Sequence, residues 1–241
     1  IPFRYFRTEE NLGVSRGRNY AIRQSRGPIL IFLDDDALIR NVNALQAIVD
    51  IFEEGPHLGI AAFKVYYYST GEMQKNAFPH KRFDERKDWP HFDTAYFSGC
   101  AHAIRRSVFD TVGYYPENFF YGMEEYDLSY RTIDSGATLR YDDRVVVLHK
   151  ESPAGRQPPR EKLRGMWVNK SKVAWKYLPV RYFVTTALLW SVEYLVKSKG
   201  DLVGFLKGWG QVFKVPGMER RSPIGPAARA YLRKVKARLS Y

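Results

Sequence analysis

The chain has 241 residues, 45% of them hydrophobic, which supports a full core and excludes a globally disordered protein. A single cysteine, Cys100, excludes an internal disulfide framework and fits a reducing compartment. The net charge of +12 is unevenly placed: residues 1–150 carry 19 Lys+Arg against 21 Asp+Glu, whereas residues 151–241 carry 19 against 5. A near-neutral body is thus followed by a basic segment suited to anionic partners.

The chain opens on Ile1-Pro2-Phe3-Arg4, which is no export signal, and runs without a Met into a strand-like stretch. This reads as a chain whose natural beginning is missing. Phe3 to Phe6 suits a short strand, and Asn11-Leu12-Gly13 is turn chemistry. Ser15 is the expected cap of a helix from Arg16 to Ser25, stopped by Gly27-Pro28. Ile29 to Leu33 is five apolar residues without a break, the pattern of a strand buried on both faces in a parallel sheet. Asp34-Asp35-Asp36 follows at the strand's carboxyl end, where ligands sit in open α/β sheets. Three adjacent anions repel, and a hard divalent cation relieves that cost; the alternative is a solvated acidic turn.

Asn43 to Glu53 has Ala44, Ala47, Ile48 and Ile51 at helical spacing, and Gly59 to Tyr68 reads as a strand. The polar stretch 69–91 reads either as a mobile loop over the site or as a surface excursion. Phe92 to Phe97 suits a strand ending at Ser98-Gly99-Cys100, and Arg106 to Val112 a short helix. Met123 to Ser135 is a helix opening on Glu124-Glu125-Tyr126-Asp127. Acids in a first turn are favoured by the helix dipole, and Asp127 pairs with Arg131 at i,i+4; the functional alternative is a carboxylate held as general base. Ala137 to Tyr141 and Arg144 to Leu148 read as two strands, the second ending at His149, a structural histidine or a metal ligand. Cys100 is a packing residue or a nucleophile without a visible His/Asn partner, and Gly99 permits close approach to a ligand. Asn11-x-Gly13 with Arg18-Asn19 is a weak phosphate-contact signal, neither a P-loop nor a dinucleotide fingerprint.

A proline-bearing linker at 152–160 leads to helices expected at about 161–178, 180–198, 201–213 and 224–239. Pro179 to Val196 is near the lower length limit for a bilayer span, but Arg181 and Glu193 lie inside it. It reads as a helix in the membrane interface, with a soluble cap or a true span as alternatives. No motif supports nucleic-acid binding.

In order, Asn11-Leu12-Gly13-Val14-Ser15-Arg16-Gly17-Arg18-Asn19, Ile31-Phe32-Leu33-Asp34-Asp35-Asp36, Phe97-Ser98-Gly99-Cys100-Ala101, Gly113-Tyr114-Tyr115-Pro116-Glu117, the run from Phe119 through Gly122-Met123-Glu124-Glu125 to Arg131, and Val145-Val146-Val147-Leu148-His149 resemble a family 2-type glycosyltransferase of the GT-A fold. The resemblance covers about residues 1–150. It implies an α/β, mixed and mostly parallel sheet flanked by helices in 1–150, followed by a basic, aromatic-rich helical extension at 151–241. It implies transfer of a sugar from a nucleotide-sugar donor to an acceptor hydroxyl with inversion. Asp36 is then a ligand of Mg²⁺ or Mn²⁺, with Asp34 near the metal or ribose and His149 completing the shell. Asp34, Asp35, Arg18, Asn19 and Gly13 fall on the donor side, and Gly99 and Cys100 line the sugar or acceptor pocket. Glu125 matches the general base; the family more often has Asp there, so Glu124 and Asp127 stay open. The family's first nucleotide-binding strand-helix-strand unit has no counterpart in this sequence. The expected partners are a lipid-linked or polysaccharide acceptor and an anionic membrane surface, met from the cytoplasmic side of the cell membrane by residues 151–241. The rival readings are a sugar-nucleotide or glycan-binding pseudoenzyme and a membrane-surface scaffold.

Overall fold

A computed structural model describes residues 3–119, 121–151 and 159–239. The elements are α1 (Gly13–Gln24), β1 (Ile29–Leu33), β2 (Ala37–Ile39), α2 (Ala44–Glu54), β3 (Leu58–Tyr67), α3 (Phe83–Arg86), β4 (His91–Asp93), β5 (Ala101–Arg105), α4 (Arg106–Val112), α5 (Glu124–Asp134), β6 (Thr138–His149), α6 (Pro159–Tyr177), α7 (Val180–Lys197), α8 (Leu202–Met218) and α9 (Pro226–Lys234). Most of the expected linker lies outside the described residues.

The sheet runs β1-β5-β3-β6-β2, with β4 also on β6. The expected mostly parallel sheet is corrected here: only β3 with β6 is parallel, and the other four pairings are antiparallel. β3 is the buried centre, and period-2 alternation divides it between two layers. Ile60 and Ala62 face a cluster with Ile22, Phe109, Leu128 and Leu139. Ala61, Phe63 and Val65 face α2, which contributes Ala44, Ala47, Ile48, Ile51 and Phe52.

β1 is an edge strand, not one buried on both faces. Leu30 is buried and Phe32 packs on the first cluster, but Ile31 and Leu33 are 38% and 43% exposed. On this strand Ile29 alone packs against the cluster that α2 covers. Phe3 to Phe6 form no strand, and Ser15 lies buried inside α1 instead of capping it. The two strands expected after residue 136 are one strand, β6, irregular between Asp142 and Val146. Its first half holds β4 and its second half holds β2. Stretch 69–91 packs down: Phe78 sits with Phe92 and Tyr141 in a small core of its own.

The C-terminal helices share the body's core. Val173, Tyr177 and Leu178 of the α6 end join Ala228, Leu232 and Val235 of the α9 region in the first cluster. The Tyr231 hydroxyl accepts from Leu139 N at 3.2 Å and lies 2.9 Å from Thr94 O, tying α9 to the sheet. A second core forms around the fully buried Trp167 of α6, packed by Ala187 and Tyr194 of α7 and Val212 of α8. No helix among the described residues is long and apolar enough to cross a membrane.

Gly208 of α8 meets this ring directly: a Cβ there would lie 2.1 Å from Trp167 Cζ3. In an exposed helix Gly→Ala stabilises by about 1 kcal/mol. Gly208→Ala should instead destabilise by about 1–3 kcal/mol in urea unfolding, because the indole has to leave its place. A stabilised variant contradicts this packing.

Candidate active site

The acids after β1 sit in a tight turn into β2. Asp34 N donates to Cys100 O at 2.9 Å, and Ala37 N donates to Asp34 O at 3.0 Å. Lys150 N donates to Asp36 O at 2.7 Å, so the end of β6 is laced to the same turn. This pairing delivers His149, whose Nε2 lies 3.1 Å from Asp36 Oδ1. Ligand atoms of Asp34, Asp36 and His149 all lie within 4.8 Å of one another.

A fourth side chain, from the 69–91 stretch, orients the imidazole. Gln74 gives its Nε2 to Glu151 Oε1 at 2.8 Å, which turns its Oε1 toward His149 Nδ1 at 3.0 Å. With Nδ1 engaged by Gln74, Nε2 is the ring nitrogen that faces the acids, the arrangement that outer-shell partners give a metal-ligating histidine. Two carboxylates and one imidazole suit Mg²⁺ or, with its tolerance of nitrogen, Mn²⁺. The residues present therefore fit the implied metal. Asp35 is exposed and stands outside this cluster.

Across from the turn, α5 begins with Glu124 and Glu125. Its approach is unusual: Gly122 and Met123 both have left-handed backbones, with φ of 82° and 74°. That conformation is strained for Met and is held from outside. Asn169 of α6 donates through Nδ2 to Tyr121 O at 3.2 Å and Gly122 O at 3.0 Å.

Arg18 of α1 joins the two halves. Its Nη2 donates to Gly99 O at 2.8 Å and lies 3.6 Å from Asp34 Oδ1. Its Nη1 lies 3.3 Å from Glu125 Oε1 and 3.5 Å from Glu124 Oε1. The guanidinium stands 5.5 Å from the Tyr115 ring centre. Burial works against its charge, but Tyr115, Glu125, Glu124 and Asp34 more than offset that, and its pKa is raised. Burial raises Asp34 against the pull of Arg18 and His149. Burial, and then the charge of Glu125, push Glu124 up to about 8, with Arg18 opposing. Glu124 Oε2 is buried without a hydrogen-bond partner.

Several expected site residues are placed elsewhere. Asn19 is one residue from Arg18, but its amide is fully buried and pairs with the Tyr115 backbone: Nδ2 to O and N to Oδ1, each 2.9 Å. It holds the 113–117 loop and is not turned to the donor side. Gly13 lines a separate groove of about 510 Å³ with Phe3, Tyr5, Phe6 and Tyr20. Cys100 is buried in the core beneath α2, and burial pushes its thiol up to about 11, which suits the packing role and not a nucleophile. Gly99 does meet the site: a Cβ would lie 2.3 Å from Glu125 Oε1 and 2.9 Å from Arg18 Nη2. Asp127 is turned from the site and consumed by Arg131 (2.8 Å), the Tyr177 hydroxyl (2.8 Å) and the Lys176 ammonium. It fastens α5 to α6. Sequence reasoning missed Gln74, Asn169 and the Tyr115–His102 pair (3.0 Å) under Arg18. None of the three carried a spacing or composition signal.

A metal-suited acid cluster thus lies at the ends of β1 and β6, faced by the buried Glu124 and part-buried Glu125 at the start of α5. Residues 1–113 match the family described as Glycosyl transferase family 2. That match covers just under half of the chain, and the mixed sheet with its helices has the GT-A-like fold of solved glycosyltransferase structures. It is 38% identical over 119 residues to an uncharacterized protein of Haemophilus influenzae, covering 48% of this chain and 63% of that one. The uncharacterized glycosyltransferase YfnE of Bacillus subtilis is 26% identical, covering 64% of this chain and 52% of its own. The O-antigen chain rhamnosyltransferase WbaN of Salmonella anatum is 27% identical, covering 62% and 49%. The chain thus spans between about half and just under two thirds of these relatives. Among solved structures, the mannosyltransferase PcManGT of Pyrobaculum calidifontis, in complex with GDP-Man and Mn²⁺, superposes with a TM-score of 0.53 at 16% identity, covering 95% of this chain and 60% of that one. GalNAc-T7 with UDP, GalNAc and Mn²⁺ gives 0.51 at 18%, covering 70% and 39%.

Two outcomes follow from this geometry. Gly99→Ala should cost at least tenfold in kcat with little loss of stability, because the methyl displaces Glu125 and Arg18 from each other. Glu124 adds a pH dependence to stability. Its folded pKa of about 8 lies above the ordinary 4.5, so the native state keeps a proton the unfolded chain has released. Its contribution is complete below about pH 4.5 and is lost as pH rises toward about 8. Thermal unfolding followed across that window should show Glu124→Gln flattening the decline; an unchanged slope contradicts the assignment.

Proposed function

We propose that this chain is the catalytic region of a metal-dependent, inverting glycosyltransferase. It moves a hexosyl or deoxyhexosyl group from a nucleotide-sugar donor to an acceptor hydroxyl in polysaccharide or glycolipid synthesis. The observation that carries the reading is the single Arg18 guanidinium in contact with both Asp34 of the metal-suited cluster and Glu125 at the head of α5. Donor diphosphate and acceptor hydroxyl have to meet within a few ångströms, and here the groups suited to each are already neighbours. The rhamnosyltransferase relative and the GDP-Man-bound neighbour support the sugar class.

Asp34, Asp36 and His149 would hold Mg²⁺ or Mn²⁺, which when bound offsets the charge of the nucleoside diphosphate leaving group. Gln74 keeps the His149 imidazole turned with Nε2 toward that position. Glu125 takes the proton of the acceptor hydroxyl. The acceptor oxygen then bonds to the anomeric carbon as the bond from that carbon to the diphosphate breaks, and one displacement inverts the centre. Arg18 holds the Glu125 carboxylate and Gly99 leaves room for it. Glu124, with a pKa of about 8, carries its proton at neutral pH and spares Glu125 a second adjacent anion. The transferase core occupies residues 1–150, with residues 151–241 as the helical extension. A lipid-linked or polysaccharide acceptor places the work at the cytoplasmic face of the cell membrane.

Glu125→Gln keeps the shape and removes the base. It should lower kcat by about 10²–10⁴ with donor affinity retained. Full turnover in that variant would pass the base role to another group and overturn this assignment.

A further inference from the structure

The site uses the inner side of the C-terminal helices and leaves their outer side unexplained. On α7, Val180, Val184, Leu188, Val192 and Val196 recur every fourth residue, so they form one row along the helix, and each is 47% to 70% exposed. On α8, Leu202, Val203, Leu206 and Phe213 are 63% to 74% exposed. Both helices turn their inner sides onto Trp167 of α6 and pack on each other, which leaves the two rows on the side away from that core. A soluble helix keeps charge on such a side. An apolar surface of this extent marks an interaction site.

We propose that the joined outer faces of α7 and α8 form a docking surface for an anionic lipid bilayer. The charge around the rows selects this occupant. Exposed Arg181 and Lys197 lie on α7 and Lys207 and Lys214 on α8, while Lys199 stands in the turn between the helices. Helix α8 contains no acid at all, and the one acid of α7, Glu193, is paired with Lys197 at 2.7 Å. Long cationic side chains at the border of an apolar helix face reach the headgroups while their stems stay in the apolar layer. Neither helix can cross a bilayer, so both lie along its surface. A second copy of the chain fits less well, since it would set these cations against their own kind.

The surface is one helix layer from the proposed base. Trp190 of α7 stands 4.6 Å from the Lys170 ammonium of α6, whose other side faces the Tyr126 ring at 5.9 Å, next to Glu125. The docking itself does not rest on the transferase reading.

Co-sedimentation with vesicles tests it, using phosphatidylcholine alone and phosphatidylcholine with phosphatidylglycerol. The whole chain should bind the anionic vesicles and bind neutral ones weakly. The double variant Val192→Gln with Leu206→Gln should lose at least about tenfold in partitioning to both. Lys207→Gln with Lys214→Gln should lose mainly the preference for the anionic vesicles and its salt dependence. Asp36→Ala should bind as the unaltered chain does, so a failed metal site leaves this result standing. Absence of binding to either vesicle, or binding untouched by the apolar pair, overturns the proposal. So does a dimer in sedimentation that the same pair abolishes, which would assign the face to a second copy.

Discussion

Arg18 is the constraint on which the rest of the site depends. Three carboxylates, Asp34, Glu124 and Glu125, approach one point from two ends of the sheet, and their mutual repulsion would part them in a partly buried space. One guanidinium contacts all three and the Gly99 carbonyl besides. Its planar fork can serve acceptors on both sides at once, which an ammonium cannot. The consequences spread outward. Residue 99 has to lack a side chain, Tyr115 backs the cation, and His102, neutral because burial holds its pKa well below the ordinary value, accepts from the Tyr115 hydroxyl.

The helices after residue 158 are part of this arrangement. Asp127, about one turn along α5 from Glu124, is anchored by Lys176 and Tyr177 of α6, and Asn169 of the same helix fixes the left-handed approach to Glu124. The head of α5 is held from both sides by α6. The position of Glu125 therefore depends on a segment whose sequence shows basic charge and aromatic content, and no catalytic motif.

The acid turn, His149 and the head of α5 were readable because each lies at the end of a regular element, where period and punctuation fix the position. Their proposed chemistry comes from the ordered motif set. What failed were questions of which way a side chain turns. Arg18 and Asn19 are neighbours on α1, about 100° apart, so one meets the acids and the other the 113–117 loop. Glu125 and Asp127 are separated by about 200° and part in the same way, one to the site and one to α6. Cys100 follows Gly99 in the turn before β5, and its side chain joins the core beneath α2. Ile29 to Leu33 looked doubly buried because apolar content does not reveal that a strand stands at the edge of its sheet. Gln74 sits in a stretch without periodicity, and only the fold brings it to His149.

The central claim is that Asp34, Asp36 and His149 hold a divalent cation for a nucleoside diphosphate. Isothermal titration with UDP, dTDP and GDP, with and without Mn²⁺, on the unaltered chain and on Asp36→Ala tests it most directly. The account predicts that one of the nucleotides binds only when Mn²⁺ is present and that the substitution abolishes this binding. Binding that is indifferent to Mn²⁺, or that survives Asp36→Ala unchanged, would contradict it.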